Sequence, residues 1–137
     1  MKISSKGRYA VRVMIALATK NSEYLSISEL SDTQHISIKY LEKIASMLVK
    51  AKFIESKNGV TGGYTLTRPP KDYTMAEILE LTGDAPALAP CLKSDTPCDH
   101  VAECTTIGYW DTLQKLIYDY LNSVTLEDII NKTYRRC

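Results

Sequence analysis

Ser37-Ile38-Lys39-Tyr40-Leu41-Glu42-Lys43-Ile44-Ala45-Ser46-Met47-Leu48-Val49-Lys50-Ala51-Lys52-Phe53-Ile54-Glu55-Ser56-Lys57-Asn58-Gly59-Val60-Thr61-Gly62-Gly63-Tyr64-Thr65-Leu66 is the stretch that decides the fold. Ser37 is a helix-capping residue type. Leu41, Ile44, Ala45, Leu48 and Ala51 then recur at spacings of three and four, which predicts a helix from Ile38 to about Ala51 with one core-facing stripe. The opposite face carries Lys39, Tyr40, Glu42, Lys43 and Ser46. Residues 53–57 and 64–67 read as two short strands, and the glycine-rich 58–63 between them has hairpin turn chemistry. Just upstream, Ser26 and Glu29 form a capping-box pair that opens a short helix to about Gln34. His35-Ile36 supplies a tight turn. Two helices, a tight turn and a polar-faced second helix describe a helix-turn-helix, and a hairpin directly after the second helix describes a wing. A plain hairpin on a small α+β domain is the competing reading.

Outward from this stretch the chain is helical. Ser4 to about Lys20 reads as a well-buried first helix whose start is crowded by Lys2, Lys6, Arg8 and Arg12. A second capping box, Thr74 with Glu77, opens a helix that ends at Gly83, a suitable residue for the left-handed C′ position. A long helix is expected from Thr105 to about Ser123. Ile107, Trp110, Leu113, Leu116, Ile117, Tyr120, Leu121 and Val124 give it a broad apolar stripe, too apolar to stand without a partner. Thr125 with Asp128 caps a last short helix, Leu126 to about Asn131. The fold class is therefore mainly α with a small β-hairpin wing: a winged helix-turn-helix over 1–82, a cysteine-containing loop over 83–104, and a dimerisation helix with its tail over 105–137.

Three of the four cysteines fall in the middle segment, at Cys91, Cys98 and Cys104. Pro90 and Pro97 forbid a regular helix there, and a long loop inside a compact domain is usually functional or disordered. Thiolates on a loop are soft ligands suited to iron–sulfur clusters, zinc or copper(I). A disulfide with a spare thiol, three unrelated thiols, and a zinc site with His100 are the alternatives. Short zinc knuckles are absent.

Composition bounds the function. A 137-residue chain with 45% apolar residues can bury a single core. The net charge is only +1, but it is unevenly spread. Residues 1–71 hold 12 Lys/Arg against 5 Asp/Glu, a net of +7, whereas 72–137 hold 5 against 11, a net of −6. Such a split points to a nucleic-acid-binding front. The N-terminus lacks a signal peptide's apolar core and no stretch approaches a membrane span, so a cytoplasmic location with reduced thiols is expected. No nucleophile–base pair, phosphate-cradling loop or paired acids indicate an enzyme. An electron carrier or cluster-delivery protein would need neither the wing nor the polar-faced helix.

Ser4-Ser5-Lys6-Gly7-Arg8-Tyr9-Ala10-Val11, Ile36-Ser37, Tyr40-Leu41-Glu42, Gly62-Gly63-Tyr64, the three cysteines, Trp110 and Val124-Thr125-Leu126-Glu127-Asp128 follow one family's order across nearly the whole chain. The chain resembles the Rrf-two family of winged-helix repressors, whose members include IscR, NsrR, RirA and CymR. The resemblance implies a homodimer joined by the long helix, with Trp110, Leu113, Ile117, Tyr120 and Leu121 at the interface. It implies an iron–sulfur cluster on Cys91, Cys98 and Cys104, with the [2Fe–2S] form ranked ahead of [4Fe–4S]. It also implies repression tuned by the state of that cluster, over genes of cluster biogenesis or, alternatively, in response to nitric oxide, iron or cysteine metabolism.

On double-stranded DNA with a near-palindromic operator, Lys6, Arg8, Arg12 and Ser37 are the expected phosphate contacts. Lys39, Tyr40, Glu42 and Lys43 are the expected base readers. Two positions depart from the family. IscR carries a histidine ligand three residues after the third cysteine, where this chain has Ile107; NsrR-like members use an acid of the partner's first helix, where this chain has Arg8. His100, Asp99, Glu103, Cys137, an exogenous thiol or solvent stay open as the fourth ligand. In the wing, Asn58 stands where IscR has an arginine, so minor-groove reading weakens or passes to Lys57.

Overall fold

The computed structural model describes residues 1–21, 23–93 and 98–134. Side-chain oxygens start every described α-helix except the long one that begins at Ile107. Ser4 Oγ accepts from Gly7 N at 3.0 Å and opens α1, Ser5–Thr19. Ser26 and Glu29 form the expected reciprocal capping box at the head of α2, Ile27–Gln34. Ser37 Oγ accepts from Tyr40 N at 3.3 Å and opens α3, Ile38–Lys50. Thr74 with Glu77 opens α4, Met75–Thr82, and Thr125 with Asp128 opens α6, Leu126–Asn131. Each such cap contributes about 1 kcal/mol by satisfying a backbone donor that the helix leaves unpaired. The turn between α2 and α3 is made by His35 in the left-handed region at φ 54°, and α4 stops on Gly83 at φ 84°.

One core unites α1, α2, α3, α4, the hairpin and α6. Ala10, Val13, Met14 and Leu17 of α1 lie at its centre, with Leu30 from α2 and Leu41, Ile44 and Leu48 from α3. Ile54, Tyr73, Ile78 and Leu126 close it. α1 packs against α2, α3, α4 and α6, which is why its apolar residues are not confined to one stripe.

The hairpin pairs β1, Ile54–Lys57, with β2, Gly63–Leu66, in antiparallel register from Ile54↔Leu66 to Lys57↔Gly63. The strands are a residue shorter than expected at the root. Phe53 N–H goes instead to Leu48 O at 3.0 Å, and its carbonyl takes the Tyr73 hydroxyl at 2.6 Å. A third segment joins the hairpin: Leu25 exchanges both backbone hydrogen bonds with Tyr64, at 3.0 and 2.8 Å. Gly63, at φ 143°, permits this approach, because a Cβ there would overlap the Leu25 carbonyl.

After α4 the segment expected as plain loop contains, among its described residues, two single 3-10 turns, Pro90–Leu92 and Val101–Glu103. The long helix α5, Ile107–Ser123, starts two residues later than expected and packs on α4. Its stripe is split. Leu113, Ile117 and Leu121 are half-buried, while Trp110 and Tyr120 remain 39% and 46% exposed and Leu116 is 62% exposed. The chain then returns to the core. Met75 N donates to Val124 O at 2.9 Å and Leu126 N to Tyr73 O at 3.1 Å, and Leu126 is fully buried among α1-side residues. So α6, grouped with the long helix by sequence, packs as part of the winged-helix core.

Candidate nucleic-acid interface and cysteine segment

Two capped helix starts, those of α1 and α3, bring polar and basic groups to the surface. Lys6, Arg8, Ser37, Lys39, Glu42 and Lys43 are all exposed. Backbone N–H groups at helix starts favour anions, and the lysines and arginines add mobile positive charge.

The expected contact residues are not alike. Arg8 Nη2 donates to Ser5 Oγ at 3.1 Å, which leaves most of its guanidinium for a ligand. Arg12 is occupied: it donates to both the backbone and the side-chain oxygen of Gln34 and lies 5.6 Å above the Tyr9 ring. It ties α1 to the end of α2 and has fewer donors to spare. Tyr40 is half-buried, edge-on to Tyr9 at 5.7 Å and 86°, so its ring braces α1 against α3 instead of lying open like Lys39. In the wing, Asn58 is exposed, but Lys57 Nζ lies 5.5 Å above the Tyr24 ring, whose hydroxyl donates to Glu55 at 3.0 Å. Val60 at the tip is fully exposed.

A residue absent from the sequence expectations ties the start of α1 to the end of α4. Asp84 Oδ1 accepts from Ser4 N at 3.0 Å; Oδ2 accepts from Ser4 Oγ at 2.7 Å and from Thr82 Oγ1 at 2.8 Å. Burial pushes the Asp84 carboxyl up, but the hydrogen bonds from Ser4 and Thr82 and the Lys6 charge outweigh it. The group sits below the ordinary carboxylate range. The local sign was Gly7. A glycine inside a helix costs about 1 kcal/mol against alanine, and here a Cβ would overlap Asp84 Oδ2.

Cys91, Cys98 and Cys104 are free thiols, the first half-buried and the other two exposed. Cys104 Sγ lies 3.4 Å from Thr106 Oγ1. That contact, with the backbone N–H groups of Thr106 and Ile107, holds the thiol below its ordinary range and favours the thiolate, the form that ligates metals. Asp99, His100 and Glu103 are exposed nearby in sequence, and Cys137 lies outside the described residues. Among the described residues no three His, Cys, Asp or Glu side chains lie close enough together to hold a metal ion. The donor chemistry thus fits an iron–sulfur group, while the three thiols stand apart and would have to close around it.

A winged helix-turn-helix with basic helix starts and an exposed polar α3 face defines a DNA-binding transcription regulator. A family model described as Rrf2, an iron-dependent transcriptional regulator, matches residues 3–132, and the chain belongs to that family. An HTH-type transcriptional regulator of Neisseria meningitidis is 38% identical over 133 residues, 96% of this chain and 89% of its own length. The HTH-type transcriptional regulator IscR of Cereibacter sphaeroides is 34% identical over 142 residues, covering 100% of this chain and 92% of that one.

Among solved structures, CymR, the global cysteine regulator of B. subtilis, superposes with a TM-score of 0.78 at 29% identity, over 96% of this chain and 98% of its own. IscR of T. potens superposes at 0.75 with 30% identity, over 97% and 88%. The chain is a regulator and not an enzyme, as its relatives are. No helix among the described residues is long and apolar enough to cross a membrane.

Proposed function

We propose that this chain is a homodimeric repressor of iron–sulfur cluster biogenesis genes, whose hold on a near-palindromic operator responds to an iron–sulfur cluster, [2Fe–2S] ahead of [4Fe–4S], carried by Cys91, Cys98 and Cys104. The observation that carries the reading is the place of the three free thiols: they occupy the stretch that joins the winged-helix core to α5. In this reading α3 enters the major groove. Lys39 and Lys43 donate to guanine edges, Glu42 accepts from cytosine, and Tyr40 supports them. Lys6, Arg8, Arg12 and Ser37 take phosphates, with Lys57 and Asn58 beside the groove that the wing meets. The exposed Trp110 and Tyr120, with Leu113, Ile117 and Leu121 beside them, form a two-fold contact between copies of α5. That symmetry spaces the two copies of α3 by about 34 Å or a multiple.

When bound, an iron–sulfur cluster supplies an oxidant- and nitric-oxide-sensitive tie between thiolates. Tying the segment would bias how α5 sits against the core, and a coupling of about 1–3 kcal/mol changes DNA affinity roughly 5- to 150-fold. A second reading is a cysteine-responsive repressor that holds no cluster. The separation of the three thiols and the likeness to CymR favour it.

Anaerobic purification with a visible spectrum and a gel shift against operator-region DNA separates the two. The proposal expects coloured protein that loses its absorption in Cys91→Ala, Cys98→Ala and Cys104→Ala but not in Cys137→Ala. It also expects Arg8→Ala to lower the log–log salt slope of binding by about one unit. Colourless wild-type protein that still shifts DNA would end the cluster reading and leave the second.

A further inference from the structure

We propose that Asp84 is a positioning residue for DNA binding: its carboxylate fixes the first turn of α1, and with it Lys6 and Arg8, in the orientation from which they reach phosphates. The inference rests on the reading of the α1 and α3 starts as the DNA face.

Asp84 is itself rigidly placed. It follows Gly83, whose left-handed φ ends α4, and its N–H donates to Leu79 O at 2.8 Å. From that fixed point both carboxylate oxygens reach Ser4, 80 residues earlier in the chain. Ser4 Oγ at the same time caps α1 through Gly7 N at 3.0 Å. One serine hydroxyl therefore joins the helix start to the end of α4. Gly7 has no side chain to hold the carboxylate away. Lys6 and Arg8 flank Gly7 and are both exposed, so a rotation of this turn displaces both cations together. Capping alone does not require Asp84, since the Ser4 hydroxyl already accepts from Gly7 N.

The sign of the effect distinguishes positioning from simple charge. Asp84 lies near Lys6, and removing an acid beside a phosphate-binding cation should by charge alone tighten DNA binding. Positioning expects the reverse.

The test measures affinity for the operator and its salt dependence with full-length Asp84→Asn, Ser4→Ala and the double variant. Thermal unfolding and sedimentation of each confirm that it is folded and in the wild-type oligomeric state. The expected result is a roughly tenfold weaker affinity for Asp84→Asn, with a log–log salt slope smaller by about 0.9 for each phosphate lost, up to two. The double variant should be no weaker than the weaker single variant, because both break one linkage. Ethylation interference should lose the phosphates nearest α1 and keep those nearest α3. Unchanged or tighter binding by folded Asp84→Asn overturns the inference, as does weaker binding with the wild-type slope and footprint. Wild-type protein that binds no DNA overturns the underlying reading and the inference with it.

Discussion

Replacing Tyr73 by phenylalanine deletes one oxygen atom and leaves the ring in place. Tyr73 is wholly buried, and its hydroxyl stands at the root of the wing. It donates to Phe53 O at 2.6 Å and accepts from Arg68 N at 2.9 Å and Thr67 N at 3.1 Å. These three partners flank the two strands, so one hydroxyl gathers both ends of the hairpin. Two of them keep alternatives, since Thr67 Oγ1 lies 3.2 Å from Phe53 O and Thr67 N donates to Phe53 O at 3.3 Å. Arg68 N has no such substitute among the described contacts.

Arg68 N is only part-buried, so its orphaned donor costs the low end of the usual penalty, about 1 kcal/mol, and the two weakened bonds cost about 1 kcal/mol each, which sums to roughly 3 kcal/mol. For a chain of this size that corresponds to a fall in Tm of about 10 °C. Thermal and urea unfolding followed by circular dichroism measure it. Tyr24→Phe is the control: among the described residues its hydroxyl bonds only exposed Glu55, and a change within about 0.5 kcal/mol is expected there. The Arg68 guanidinium, 4.2 Å above the Tyr73 ring, should stay on the phenylalanine and limit the damage to hydrogen bonding. A Tyr73→Phe loss below about 1 kcal/mol would refute the claim that this hydroxyl is the wing's structural pin.

Other outcomes follow from the same geometry. Glu42→Ala should narrow the gap between operator and random DNA by about 1–3 kcal/mol, read by competition gel shift, because a carboxylate near phosphates is repulsive unless it accepts from a base. Equal weakening on all sequences would assign it a structural role instead. Leu116→Lys on the open face of α5 should yield monomers in sedimentation at micromolar concentration with little change in Tm, since the side chain is 62% exposed within one copy.

Acid should weaken the fold through Asp84 and Asp128, whose carboxyls lie below their ordinary 3.8 in the folded chain. For Asp84 the hydrogen bonds of Ser4 and Thr82 overcome burial; for Asp128 those of Thr125 and Thr133 act. A depressed folded-state value means that the stabilisation is complete above the unfolded value and is lost as pH falls through the folded one. Tm should therefore drop below about pH 4, and Asp128→Asn should flatten that drop. An acid limb unchanged in Asp128→Asn would remove Asp128 from the explanation.

Local chemistry made much of this fold legible. Ser26 with Glu29, Thr74 with Glu77 and Thr125 with Asp128 are capping boxes, whose partners lie three residues apart. Gly83 likewise acts on its own helix. The features left unread pair residues far apart in sequence: Leu25 with Tyr64, Ser4 with Asp84, and Leu126 with the core beside α1. No periodicity encodes such pairings. Arg12, Tyr40 and Lys57 show a related limit. Their residue types suit DNA, but whether the group is free depends on Gln34, Tyr9 and Tyr24, which only the folded chain brings close. The face of α5 was readable as apolar, yet which half of the stripe stays open is decided by α4.

The return of the chain at Leu126 fixes the C-terminal end of α5 to the core, while its flank lies along α4. One end is reached through the cysteine segment from α4, and the other is stitched to Tyr73 and Met75 by the bonds around Val124 and Leu126. A helix hung by one end could swing without disturbing what it hangs from. A helix laid along α4 and pinned at its C-terminal end transmits torque: any tilt of α5 must be absorbed against α4 and beside the wing root. It also makes the protein hard to dissect. A fragment ending after α4 would take away the roof over part of its own core, so the DNA-binding unit and the long helix cannot be exchanged as separate cassettes.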